Sequence, residues 1–185
     1  MADSNLAEAA KLFAIKMNLG AYQEAARIKS DFGLPNDMLL GAVRLAYDMN
    51  MKKGEYSLAA DLAKRYDLPE ALRLEAAERS FSRKIDSEFY RAAADYAREM
   101  GLPQDLVRQA AVQAFNKSMS FGLVKNASEI AKEFELPEEM RLQAAVKSYD
   151  QHMNAGLYRK ALKIAEEHKL PGELIEAAEK KMKSS

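Results

Sequence analysis

His152 and His168 are the chain's two histidines, and acid–base or metal chemistry would be sought there first, because no cysteine is present to serve as nucleophile or thiolate ligand. Neither has a neighbour at metal-ligand spacing. His152 falls inside an expected helix. His168 occupies what the repeat described below makes an aromatic core position, so it is expected to be a partly buried stand-in for tyrosine or phenylalanine. Paired acids such as Glu138 and Glu139 could do general acid–base work, but they directly follow a proline, where the positive end of a helix dipole accounts for them. Glycines fall at hairpin turns and not in a phosphate-cradling or dinucleotide-binding pattern. Catalysis, a metal and a cofactor are therefore not expected.

Elements able to position such side chains must be built from 185 residues, nearly half of them apolar, which is enough for a continuous core. Lys plus Arg equals Asp plus Glu at 28 each, so no global field pulls the chain onto nucleic acid or an anionic membrane. The first residues, Met1 to Leu6, carry an acid and polar residues where a secretory signal would be basic and then apolar, and no segment approaches 18 uncharged apolar residues. A cytoplasmic protein without a membrane partner is expected.

The prolines organise the rest. All five, Pro35, Pro69, Pro103, Pro137 and Pro171, stand 34 residues apart, each preceded by leucine, with no insertion or deletion between them. Gly20, Gly54, Gly122 and Gly156 keep the same spacing, with Glu88 as the exception. One aligned position is always aromatic (Phe13, Tyr47, Phe81, Phe115, Tyr149), and another is always alanine (Ala25, Ala59, Ala93, Ala127, Ala161).

Each period predicts two helices. Proline suits the first helical position, so the first helix starts there and runs for about five turns, with a broad apolar arc such as Leu106, Ala110, Ala111, Ala114, Phe115 and Met119. The glycine ends it in a left-handed cap, and a second helix follows, as in the stripe Val124, Ala127, Ile130, Ala131, Phe134. The predicted fold is all-α: a right-handed α-solenoid of five 34-residue helix-turn-helix units (1–34, 35–68, 69–102, 103–136, 137–170). A capping helix over 171–185 completes a single domain with no linker.

The period, the two helices per unit and the Gly-x-Tyr-x-x-Ala motif (Gly20, Tyr22, Ala25; Gly156, Tyr158, Ala161) resemble tetratricopeptide repeats. The first helix departs from that family, with paired alanines where a large-then-small order is usual, and the proline falls about two residues early. The resemblance implies a non-catalytic scaffold whose first helices line a groove for a peptide or protein partner.

Residues that keep their place while varying in type suggest the groove independently. In the first helices these form a polar stripe: Glu75 and Arg79; Gln109, Gln113 and Asn116; Gln143, Lys147, Asp150 and Asn154. Such amides suit an extended peptide backbone, and an ordinary solvated face is the competing explanation. Phe89 and Phe121 lie in turns, with Leu123 and Leu157 nearby, and form either an apolar rim for a partner or a staple onto the next helix. RNA binding is the rival function, drawing on Arg73, Arg79, Arg83, Lys84, Arg91, Arg98 and Arg108, but Glu70, Glu75, Glu78, Asp86 and Glu88 are interspersed and argue for a salt-bridged surface. A chain made for its fold alone, with no natural ligand, is the third alternative.

Overall fold

The structure, a computed structural model, describes residues 2–184, without the side chains of residues 2–4, 18 and 36–39. The described residues form eleven α-helices and no strand: α1 Ala2–Asn18, α2 Tyr22–Phe32, α3 Asn36–Lys53, α4 Tyr56–Arg65, α5 Glu70–Asp86, α6 Tyr90–Met100, α7 Gln104–Ser120, α8 Val124–Glu133, α9 Glu138–Asn154, α10 Tyr158–Glu167 and α11 Gly172–Lys183. Consecutive helices pack on one another, as in the runs α1 to α4 and α7 to α11, the pattern of a helical-repeat architecture. Two compact units result. One holds the chain up to Arg83 together with Glu99–Leu102, and the other holds Lys84–Arg98 and everything from Pro103 on.

Helix starts obey the proline spacing: α3, α5, α7, α9 and α11 begin at 36, 70, 104, 138 and 172. Each proline sits one residue earlier than expected, however, as the cap and not as the first helical residue. Pro103 and Pro137, with ψ of 137° and 146°, are extended, and their carbonyls accept from Leu106 and Met140 at 3.0 Å. The missing proline N–H costs nothing there, because an N-terminal donor has no intrahelical acceptor anyway.

Two left-handed positions recur in each period. The first was legible: Gly20, Gly54, Gly122 and Gly156 have φ of 70–74°, and Glu88 takes the same conformation at 57°. The second ends the other helix of each hairpin. Gly33 and Gly101 occupy it in two periods, but Asp67, Glu135 and Lys169 stand there with φ of 50–53°. A side chain in this region costs about 1–2 kcal/mol, partly offset by the extra freedom glycine has when unfolded. Glu135→Gly is therefore expected to raise stability by about 0.5–1 kcal/mol in urea titration, and a loss would contradict the geometry.

The core follows from residue size. Paired alanines (Ala76/Ala77, Ala110/Ala111, Ala144/Ala145) and the alanine of each second helix (Ala25, Ala59, Ala93, Ala127, Ala161) are fully or almost fully buried, which lets backbones approach. The aromatic positions Phe13, Tyr47, Phe81, Phe115 and Tyr149 are buried between them. α11 closes the second unit by burying Ala178 against Tyr149, Ala161 and Ala165, with Leu174 and Ile175 partly covered. Its charged residues Glu173, Glu176, Glu179, Lys180, Lys181 and Lys183 stay exposed.

Polar interlocks join periods. Arg83 donates to the carbonyl of Gly54 at 2.8 Å, Lys117 to that of Glu88 at 3.1 Å, and Gln151 to that of Gly122 at 3.1 Å, each 29 residues back. The acceptor is always the left-handed residue at the end of the earlier helix, where a carbonyl lacks an intrahelical donor. Running forward, the Tyr47 hydroxyl donates to Leu72 O at 2.9 Å and Tyr149 to Leu174 O at 2.6 Å.

Burial, ahead of nearby carboxylates, raises both phenol pKa values above the ordinary range. The unfolded chain then ionises these tyrosines first, so their contribution is fully present below about pH 10 and disappears as pH rises through the raised folded values. Tyr149→Phe is expected to cost about 1 kcal/mol near neutral pH, where the phenol donates, and to shrink the alkaline loss. An unchanged alkaline profile would contradict this assignment.

One aromatic-position expectation is corrected. His168 is exposed, as the C-cap of α10, because an imidazole with no partner gains nothing from burial. Phe32 at the corresponding place is 48% exposed, whereas Phe134 is buried, with the Arg98 guanidinium 4.8 Å above its ring.

Candidate functional site

A surface pocket of about 500 Å³ lies in the second unit, in the angle between α6 and α8 and floored by α7. Its position follows from the hairpin turns. Lys84 O accepts from Phe89 N, and Ser118 O accepts from Leu123 N, both at 2.9 Å, so each turn is closed on the preceding helix and its apolar residue is left outside. Phe89 and Phe121 are 65% and 70% exposed at the pocket's edge, joined by Leu123, with Ala114 and Ile130 deeper. The structure thus gathers both rim phenylalanines at one place.

The polar wall is a connected network. Arg91 donates to Asn126 Oδ1 at 3.0 Å, Asn126 donates to Ser118 Oγ at 3.0 Å, and Ser118 donates to Ala114 O at 2.9 Å. Arg91 and Arg98 both reach Glu133 at 2.9 Å. The hydrogen bond from Arg98, and then the two guanidinium charges, hold the Glu133 carboxyl below its usual range against the desolvation that would raise it. Lys117 pairs with Glu88 at 2.9 Å and lies 5.4 Å from the Tyr90 ring centre; its hydrogen bond and charge lower the Glu88 pKa. These charges are spent within the fold, so the pocket presents apolar surface held by a braced polar frame.

The polar stripe is distributed differently. In the first unit Glu75 and Arg79 bind each other at 3.0 Å, and Arg79 lies 5.8 Å from the Tyr56 ring centre. In the second, Gln109 and Asn116 on α7 and Gln143, Asp150 and Asn154 on α9 are exposed. Lys147 is turned inward and donates to Met119 O at 2.5 Å. Gln113 is half-buried, with its Oε1 sealed from solvent and lacking a partner among the described residues. None of these residues lines the pocket.

A second pocket in the same unit, about 450 Å³, lies between the start of α10 and the end of α11, lined by Gly156, Leu157, Tyr158, Arg159, Lys160 and Met182. Neither pocket was foreseen as such. Their common signal was available, since both include the residues that follow a first helix at the same point of the period.

Cations proposed for RNA are largely committed. Arg73 pairs with Glu70 at 3.1 Å and also donates to Met100 O; Arg98 pairs with Asp95 and Glu133, and Arg83 holds Gly54 O. His152 Nδ1 lies 2.7 Å from Ser148 O, one helical turn back. Among the described residues no cluster of three or more His, Asp or Glu could hold a metal ion, and no helix is long and apolar enough to cross a membrane. Comparison of the chain with family models, with curated proteins and with solved structures returned no match.

Proposed function

We propose that the chain is a tetratricopeptide-like array of five 34-residue helical hairpins with a capping helix, and that it acts as a non-catalytic scaffold holding a protein partner. The observation that carries this is the paired exposure of Phe89 and Phe121 over one apolar pocket whose surrounding charges are already neutralised. Aromatic anchors on a rigid frame of this kind are what protein interfaces concentrate. The partner's apolar side chains enter between α6 and α8, and the faces bearing the polar stripe remain solvated. The pairing of Arg73, Arg79 and Arg98 with carboxylates supports a protein over RNA, whose binding relies on free cations.

The test is affinity capture from lysate with and without nuclease. It compares the wild type with Phe89→Ala/Phe121→Ala and with a variant carrying alanine at Gln113, Asn116, Lys147 and Asp150. Nuclease-resistant protein prey lost only by the phenylalanine variant is expected. Loss by the four-alanine variant instead would return the partner to the polar stripe, and nuclease-sensitive recovery would make RNA the ligand.

A further inference from the structure

Three hairpin turns of the second unit repeat one chemical pattern at one register: an exposed apolar residue, then a cation two places on. The pairs are Phe89 with Arg91, Leu123 with Lys125, and Leu157 with Arg159. The apolar members are 65%, 55% and 45% exposed, far more than residues of their size held in a core. The two pockets described above are built on these turns, the first on Phe89, Arg91 and Leu123 and the second on Leu157 and Arg159. The two earlier turns break the pattern, with Ala21 and Gln23 in one and Glu55 and Ser57 in the other. The helical fold does not need the pattern, because those turns form the same hairpin without it.

The charge is one-sided. Residues 88–92, 122–126 and 156–160 hold the cations Arg91, Lys125, Arg159 and Lys160 and the single anion Glu88, which Lys117 neutralises at 2.9 Å. Arg91 is shared with Glu133, but Lys125, Arg159 and Lys160 form no ion pair among the described residues. We propose that these turns form a ladder that docks an extended acidic segment of a protein partner, with apolar residues on the Phe89, Leu123 and Leu157 rungs and carboxylates on Lys125, Arg159 and Lys160. The proposal rests on the scaffold reading and adds to it the chemistry of the partner.

The spacing is consistent with such a segment. Phe89 and Leu123 line one pocket, across which Arg91 reaches Asn126 at 3.0 Å; an extended chain advances about 3.3 Å per residue, so a step of about 8–10 Å, the usual spacing of packed helices, corresponds to about three residues. A nucleic acid would meet the same cations, but leucine offers no stacking platform for a base, so two of the three rungs favour a peptide.

Fluorescence anisotropy tests this with labelled peptides of repeated Phe-Asp-Asp, Phe-Lys-Lys and Ser-Asp-Asp triplets and an oligouridylate of equal length. The Phe-Asp-Asp peptide is expected to bind best. Lys125→Glu/Arg159→Glu should weaken it about tenfold or more, while Lys52→Glu/Lys53→Glu, the same charge change on α3, should not. Leu123→Ser/Leu157→Ser should reduce Phe-Asp-Asp to the level of Ser-Asp-Asp. All these side chains are exposed, and matching thermal midpoints would show that the variants remain folded. Equal binding of Phe-Lys-Lys, preference for oligouridylate, or indifference to the Lys125/Arg159 reversal overturns the proposal. If no peptide binds while lysate capture still yields protein prey through Phe89 and Phe121, the acidic-segment inference fails and the scaffold stands; absence of protein prey removes the scaffold itself.

Discussion

Phe115→Ala is expected to lower stability by about 3–5 kcal/mol, the largest effect of any single truncation in the second unit. The ring is completely buried and is the largest of the fully buried side chains. It occupies the place filled by Tyr149 one period later, in a core where Ala110, Ala111 and Ala114 on its own helix and Ala127 and Ala131 on α8 are also buried. Alanines have no side-chain length with which to fill the space left behind, so the cavity persists and its cost adds to the lost transfer energy. Urea unfolding followed by circular dichroism measures the loss. A change below about 1 kcal/mol would mean that the layers collapse onto one another and that the aromatic is not the spacer between them.

Phe121→Ser tests the opposite environment. With the ring 70% exposed, stability should change by no more than about 0.5 kcal/mol, while affinity for the captured partner should fall by about 2 kcal/mol, roughly thirtyfold. The two quantities separate the alternatives for this residue. A staple fixing the start of α8 would lose stability and spare binding; an anchor loses binding and spares stability. Phe89, on the other side of the same pocket, should respond as Phe121 does, and the double variant should lose less than the sum if both touch one partner side chain.

Much of the fold was legible because its signals are positional. Leucine–proline pairs mark where one helix must stop and the next begin, and the observed starts follow them with a one-residue offset. The aromatic and alanine positions repeat in type because packing leaves them no choice. The left-handed conformation of Glu88 could be read from the glycines at its register. The second left-handed position was hidden because only Gly33 and Gly101 advertise it, while Asp67, Glu135 and Lys169 accept the strain. The interlock to the preceding turn escaped notice for a related reason: arginine, lysine and glutamine serve equally as donors at Arg83, Lys117 and Gln151, so no residue type is conserved among the periods to reveal it.

The site was less legible than the fold. Variation at fixed positions drew attention to the stripe on the first helices, yet Lys147 varies there while holding a backbone carbonyl, and Glu75 and Arg79 hold each other. Variation shows that packing does not fix a residue; it does not show that a partner does. The two phenylalanines were visible as breaks in the pattern, but whether they were buried as staples or offered to solvent depends on turn geometry that the sequence does not express. His168 illustrates the same limit, since its register implied burial and its polarity keeps it wet.

On the proposed scaffold reading the partner is held at the hairpin turns of the second unit, and amide hydrogen exchange of the full chain, with and without the captured partner, decides this. New protection is predicted over residues 88–92 and 121–126, extending to 156–160 if the ladder is used, with α9 unchanged along Gln143, Lys147, Asp150 and Asn154. Protection confined to that α9 stripe and to Gln109, Gln113 and Asn116 on α7, with the turns unaffected, would place the partner on the first helices instead.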